Sequence, residues 1–311
     1  MGSGILPVAM QSPAGASAAS TAWRSGAGPL RVAFLGSQVW LEGATPPRRA
    51  GMLRPARFAT LGGDHTPSLA AVHAFDPHVS VVFDAVAVPG ALLAELPGRT
   101  LGIVTDDLPE EGVPGIEALD RLVSFRPSLT GVRRGGVEVW RAIPPPVSDA
   151  LYGPVRRLLG APRAMSIGRF TERREAMLMP AKHHHDLLQV IHGVSGDALA
   201  ELLALHDVGV HVASVPWAGF APQAGIHLAA GQLLLSEPLE PAHGLEIDID
   251  YLQFDSADGL VWALDRLARF PEMHQRVRFR GRLKAEQYRA SRLFGRLLHD
   301  LLADVAAFGA G

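Results

Sequence analysis

The sequence predicts an α/β protein built as two Rossmann-like domains, whose parallel sheets face a central cleft. Three observations carry this. Short apolar runs alternate with helical patterns, and the runs are continuous rather than alternating, as in parallel strands buried on both faces. The pattern stops once, at IPPPVSDALYGP (Ile143–Pro154), and then starts again. The length of 311 residues suits two domains, and 48% hydrophobic residues are ample for two cores.

The elements follow in order. The first 28 residues are rich in Gly, Ala and Ser and read as a disordered lead. Their apolar piece, ILPVAM, is too short for a signal-peptide core, and no basic stretch precedes it. The first domain is expected over residues 29–148. Arg31 to Gly36 reads as a buried strand feeding a Gly-Ser turn, and RFATLGGD (Arg57–Asp64) as the second strand. A helix is expected from Pro67 to Phe75, a strand over His78–Ala85, and a helix in VPGALLAELP opened by Pro89. Strands follow at Arg99–Asp107, DRLVSFRP and VEVWRAI.

Three consecutive prolines can continue neither a helix nor a central strand, so Ile143–Pro154 reads as the linker. The second domain is expected over residues 149–311. RAMSIGRF (Arg163–Phe170) is a strand, ERREAMLMPAK a helix and DLLQVIHG (Asp186–Gly193) a strand. SGDALAELLALHD opens with Ser195 at the N-cap and Asp197 in the first turn. VGVHVASV, a helix over Gly225–Ala230 and the strand QLLLSEP come next. ADGLVWALDRLARF and KAEQYRASRLFGRLLHDLLADV space their apolar residues by three and four, as amphipathic helices do. The last of these is expected to pack back on the first domain.

Composition narrows the function. A net charge of -2 gives no global bias toward nucleic acid, and no nucleic-acid partner is expected. There are no cysteines, which excludes disulfides, thiolate nucleophiles and cysteine metal sites and fits a cytoplasmic location. No apolar run approaches the ~20 residues that span a bilayer, so no transmembrane segment is expected. The motifs HExxH, GxxxxGK[ST] and GxSxG are absent. The first strand ends Gly-Ser-Gln-Val-Trp rather than GxGxxG, which argues against a twin-Rossmann NAD-type oxidoreductase. No cofactor and no metal are expected.

Open parallel sheets bind ligands beyond the carboxyl ends of their strands. In the first half those positions hold Gly36-Ser37, Gly62-Gly63-Asp64-His65, Asp84 and Asp106-Asp107. In the second half they hold Gly168-Arg169 with Arg173 and Arg174, His192-Gly193, Pro216-Trp217 and Ser236-Glu237. A glycine and a helix start beside three arginines suit phosphate; the same arginines could be a solvated face paired with Glu172 and Glu175. His192-Gly193-Val194 could hold a nucleobase, or His192 could be a satisfied strand-end residue. Asp84, Asp106 and Asp107 could orient sugar hydroxyls or act as a base, or could serve as turn and cap residues. His65 is a further candidate. His183-His184-His185 reads as a solvated basic loop, since adjacent side chains diverge and metal chelation on a helix wants a spacing of three or four.

The second half also resembles a family. The succession SIGRFTERRE, VIHGVSGDALAELLALHDVGVHVA, GIHLAAGQLLLSEPL, HGLE and DSADGLVWALDRLARFP resembles the C-terminal domain of GT-B glycosyltransferases. More narrowly it is similar to their CgeB-like, group-1 branch, over Arg163 to Leu302. The resemblance implies a nucleoside-diphosphate-sugar donor. Its diphosphate would fall on Gly168 and Arg169, and its base on His192, Gly193 and Val194. Its sugar or phosphate would fall on Ser236, Glu237, His243, Gly244, Leu245 and Glu246. Arg169, helped by Arg173 or Arg174, would stabilise the leaving diphosphate without a metal, and configuration would be retained. The acceptor, a saccharide, a lipid-linked or a small molecule, would meet Gly36, Ser37, Asp84, Asp106 and Asp107, with Asp106 and His65 as candidate catalytic groups. Many retaining members carry E-x(7)-E; here Ala218 and Ile226 occupy those places, with His227 one residue on as a possible substitute. A catalytically silent nucleotide-sugar or sugar-phosphate binding protein of the same fold is the alternative.

Overall fold

The computed structural model describes residues 28–59, 66–134, 136–155, 161–214 and 220–309. The first sheet holds β1 (Leu30–Gly36), β2 (Leu53–Ala59), β3 (Val79–Phe83), β4 (Arg99–Val104), β5 (Arg121–Ser124), β6 (Arg133–Arg134) and β7 (Val137–Ala142). Their order is β2-β1-β3-β4-β5-β7-β6, parallel except for β6, which runs antiparallel to β7. All five residues of β3 are buried, because helices cover both faces of a parallel sheet. Helices α1 (Gln38–Ala44), α2 (Thr66–Phe75) and α3 (Gly90–Ala94) connect the first strands.

The second strand departs from the sequence reading. It begins at Leu53 rather than Arg57, and contains Pro55, paired with Val32. A proline is tolerated there because β2 is the edge strand, so its missing N–H costs the sheet nothing. The part of that reading beyond Ala59 lies outside the described residues, as does the lead apart from Gly28.

The second sheet orders β12 (Leu252–Gln253), β11 (Leu233–Ser236), β10 (Val208–His211), β8 (Ala164–Ile167) and β9 (Leu188–Val190), all parallel. Its helices are α4 (Glu172–His185), α5 (Gly196–Leu205), α6 (Pro222–Ala229), α7 (Ala257–Arg269) and α8 (Gln275–Lys284). Thr171 caps α4 by accepting from Arg174 N, and Ser256 caps α7 by accepting from Gly259 N. Ser195 occupies the N-cap of α5, but its side chain makes no capping bond.

His183, His184 and His185 are not a loop: they form the last turn of α4, where cations oppose the negative end of the helix dipole. His185 Nε2 lies 3.3 Å from Asp265 Oδ1 on α7. Among the described residues no group of His, Asp and Glu gathers closely enough to hold a metal ion.

The C-terminal segment from Lys284 is not one helix. After a 3-10 turn over Ala285–Tyr288 the chain straightens at Arg289, and α9 (Ala290–Phe308) follows. The break has a clear cause. Val147 of the linker donates to Tyr288 O (2.8 Å) and accepts from Ala290 N (2.8 Å), a pairing an unbroken helix could not offer. Ile143, Val147 and Ser148 are buried, and Ser148 N donates to Gly43 O (2.7 Å), so the linker is packed. The chain therefore passes between the two sheets twice, side by side.

Beyond the break, α9 packs on the first sheet. Phe294 meets Phe34 and Phe83 edge-on, with ring centroids 4.8 and 6.1 Å apart. Arg121–Asp304 (2.7 Å) and Arg141–Asp300 (2.8 Å) tie β5 and β7 to the same helix.

Candidate functional site

The loop after β8 is tightly constrained by its own side chains. Gly168 has φ +149°, and a Cβ there would lie 2.6 Å from Arg174 Nη1, so only glycine fits. Arg174 is 7% exposed. Its Nε donates to Val212 O (2.8 Å) and its Nη1 to Arg169 O (2.9 Å). Burial, then the neighbouring Arg173, lowers its pKa. Arg173 forms a two-pronged pair with Glu237: Nη1 donates to Oε2 (2.8 Å) and Nη2 to Oε1. Nη1 also donates to Ala213 O (2.8 Å), while Ala213 N donates to Glu237 Oε2 (2.8 Å). The hydrogen bonds to Glu237 raise the Arg173 pKa.

These three side chains form a clasp over the ends of β8, β10 and β11. Arg173, Arg174 and Glu237 thus hold the edge together, with Nη1 and Nη2 of Arg173 and Nε and Nη1 of Arg174 bonded to protein. The side chain of Arg169 is exposed and makes no hydrogen bond or salt bridge with a described residue. Of the three arginines, it is the one left to meet an anion.

Beside it, His192 and Gly193 are exposed after β9, and Val194 is half-buried against the core. Gly193 has φ +79°, and nothing lies within 4 Å of where its Cβ would be. Phe170 (54% exposed) and Ile191 stand open at the same two strand ends, an apolar lip that a flat ring could cover.

The turn after β11 is more closed than the sequence suggests. Ser236 is fully buried, its hydroxyl donating to Glu237 O (2.7 Å), and Leu245 is buried in the core. His243 has φ +45°, and its ring sits edge-on to Phe220 at 5.1 Å and reaches the main chain of Phe125 beyond β5. Burial lowers its pKa, and the Phe125 contact opposes this. Gly244 has φ +82°, and its carbonyl accepts from Lys284 Nζ (2.8 Å). Glu246 is exposed, its amide donating to Asp250 Oδ2 (3.1 Å).

His227 does not reach a ligand. It is fully buried on α6, packed over Gly209 of β10, with Nδ1 paired to Gln232 Oε1 (2.6 Å). Burial brings its pKa down to about 4. At the end of β10, His211 is also buried, and neither ring nitrogen has a partner among the described residues. Burial, then His227 and Arg174, holds its pKa at about 3. Nothing local in VGVHVASV marks His211, because the run reads as one longer strand; the ordered strand stops at His211 itself.

On the first sheet, Gly36 packs under Phe83, leaving 3.0 Å to a would-be Cβ. Ser37 is exposed at the start of α1 and makes no capping bond. Asp84, in the left-handed region at φ +54°, accepts from Thr105 Oγ1 (3.0 Å). Asp107 is paired with Arg126, whereas Asp106 is exposed and has no partner among the described residues. His65 and Ala218 lie outside the described residues. Among the described residues, two contacts link the carboxyl ends of the sheets. One is the reach of His243 to Phe125. In the other, Glu42 Oε2 lies 3.0 Å from the Cβ position of Gly196 at the start of α5.

No family model matches the chain, and no curated protein sequence does. Solved structures do. Sucrose-phosphate synthase from Thermosynechococcus elongatus superposes with a TM-score of 0.57 at 12% identity, over 88% of this chain and 99% of that one. A glycosyltransferase from Rickettsia africae ESF-5 gives 0.56 at 7% identity, over 90% and 99%. HepE of Anabaena, in complex with UDP and glucose, gives 0.53 at 9% identity, over 88% and 100%. At such identities the likeness is one of fold, and the chain has the fold of the GT-B glycosyltransferases. Among the described residues no helix is long and apolar enough to cross a membrane.

Proposed function

We propose that this chain is a cytoplasmic glycosyltransferase of the CgeB-like, group-1 kind, moving a sugar from a nucleoside-diphosphate donor to an acceptor held by the first domain. One observation carries the reading: the Arg169 side chain has no partner among the described residues, beside a glycine and the start of α4, while Arg173 and Arg174 are both engaged in the clasp. The donor diphosphate lies along Gly168 and Arg169, where the first-turn amides of α4 add fixed positive potential. The base lies over His192, Gly193 and Val194, with Ile191 and Phe170 as its apolar wall. The bond from the sugar's anomeric carbon to the diphosphate breaks, and Arg169 stabilises the charge left behind, so the chemistry needs no metal. The acceptor hydroxyl forms the new bond and gives up its proton, with Asp106 as the group to take it. The anomeric configuration is retained, as in that branch.

A second reading, a binding protein without catalysis, has a specific support. Ile226 packs against the core of the second domain, so α6 presents no carboxylate at the place where retaining relatives carry one. Incubation with a panel of nucleotide sugars and acceptor mixtures, followed by measurement of released nucleoside diphosphate, separates the two. Release that Arg169→Ala lowers by at least about tenfold supports transfer. Saturable donor binding with no release under any acceptor supports the binding protein.

A further inference from the structure

A cavity of about 650 Å³ opens at the other end of the first sheet, where β1 and β2 begin. With β1 seven residues long, roughly 20 Å separates it from Gly36 and the cleft. Its volume is in the range of small-molecule sites. Leu30 and Leu53 form an apolar floor, and the loop from Pro47 to Met52 forms one wall. The other wall is a single face of α9, since Arg292, Gly295, Arg296 and His299 follow the spacing i, i+3, i+4, i+7.

The charge on this wall is one-sided. The side chains of Arg49 from the loop and Arg296 from α9 are exposed and make no hydrogen bond or salt bridge with a described residue, although Asp300, one turn on, lies within electrostatic reach of Arg296. Arg292 is exposed and pairs with half-buried Glu286 at 3.2 Å, a carboxylate it shares with Arg282 and Arg289. The lining's one carboxylate, Asp149, is already engaged: it accepts from Ser291 N (3.0 Å) and Ser291 Oγ (2.6 Å) and pairs with Arg289 (3.4 Å). Gly295 gives the cavity its depth, because nothing lies within 4 Å of a Cβ built there. Several guanidinium groups lining one concave surface suit the tetrahedral oxygens of a phosphate. We propose that this cavity binds a phosphate-bearing small anion, with Arg49, Arg292 and Arg296 holding the phosphate and the leucine floor covering its carbon body.

Calorimetric titration of the full chain with glycerol 3-phosphate tests the proposal. Saturable binding is expected. Arg296→Ser should weaken it by about tenfold or more, whereas Arg169→Ala, in the cleft, should leave it unchanged. Gly295→Leu should abolish it while the melting temperature holds or rises, since the new side chain enters open space and leucine favours helix. Co-sedimentation with phosphatidylcholine vesicles, with and without phosphatidic acid, identifies the source of the phosphate. Capture by the acidic vesicles that Gly295→Leu removes marks a lipid headgroup, and its absence beside soluble binding marks a free metabolite. No saturable binding in either arm overturns the site. So does binding that Arg169→Ala removes and Gly295→Leu leaves intact.

Discussion

Gly168 is where one missing side chain decides both stability and function. Its positive φ and the Arg174 guanidinium 2.6 Å from its Cβ position predict that Gly168→Ala costs about 1–3 kcal/mol, read as a lower denaturation midpoint. An unchanged midpoint would mean that Arg174 moves aside freely. The two buried histidines make a second prediction. Both folded-state pKa values lie below the ordinary 6.5, at about 3 for His211 and about 4 for His227, so the native state prefers neutral rings. Their contribution is complete above pH 6.5 and is lost as pH falls toward the folded-state values, at up to about 1.4 kcal/mol per pH unit for each ring. Below those values the loss levels off. His211→Leu should reduce the slope between pH 6 and pH 4 by up to about 1.4 kcal/mol per pH unit, measured by denaturant unfolding at stepped pH. An unaltered slope would remove His211 from the account.

At the scale of elements, the strands were legible and their partners were not. Continuous runs such as Val79–Phe83 and Leu233–Ser236 announce buried parallel strands, because both faces demand apolar residues. Pro55 concealed the start of β2, since its tolerance depends on an edge position that only the sheet order reveals. The clasp was half visible. Arg173, Arg174 and Glu237 were picked out as ligand contacts by position, but 64 residues separate Arg173 from Glu237, and no local pattern states that they bind each other. The break at Arg289 likewise depends on Val147, far upstream. Helix α9 makes its own prediction. Phe294 is fully buried among Phe34 and Phe83, so Phe294→Ala should cost about 3–5 kcal/mol and destabilise the first sheet from outside its own sequence segment. Hydrogen exchange should then quicken in β1 and β3 before it does in the second sheet. Uniform quickening would mean that the two halves open as one.

For the whole molecule, two sheets direct their carboxyl ends at each other, with His243 reaching Phe125 and Glu42 meeting Gly196 across the gap. The chain joins them by two adjacent segments packed on one another, at Val147 and at Tyr288–Ala290. Against this frame the expected donor residues divide by burial. Arg169, His192 and Gly193 are exposed and Gly168 is half-buried beside them, whereas His227, Ser236 and Leu245 are interior. The central claim is that the open set grips a pyrophosphate through Arg169. Calorimetric titration with UDP, comparing the native chain with Arg169→Ala, tests it most directly. The account predicts saturable binding that weakens by about tenfold or more in the variant, at an unchanged melting temperature because the side chain is exposed. Equal affinity in the two proteins would contradict it.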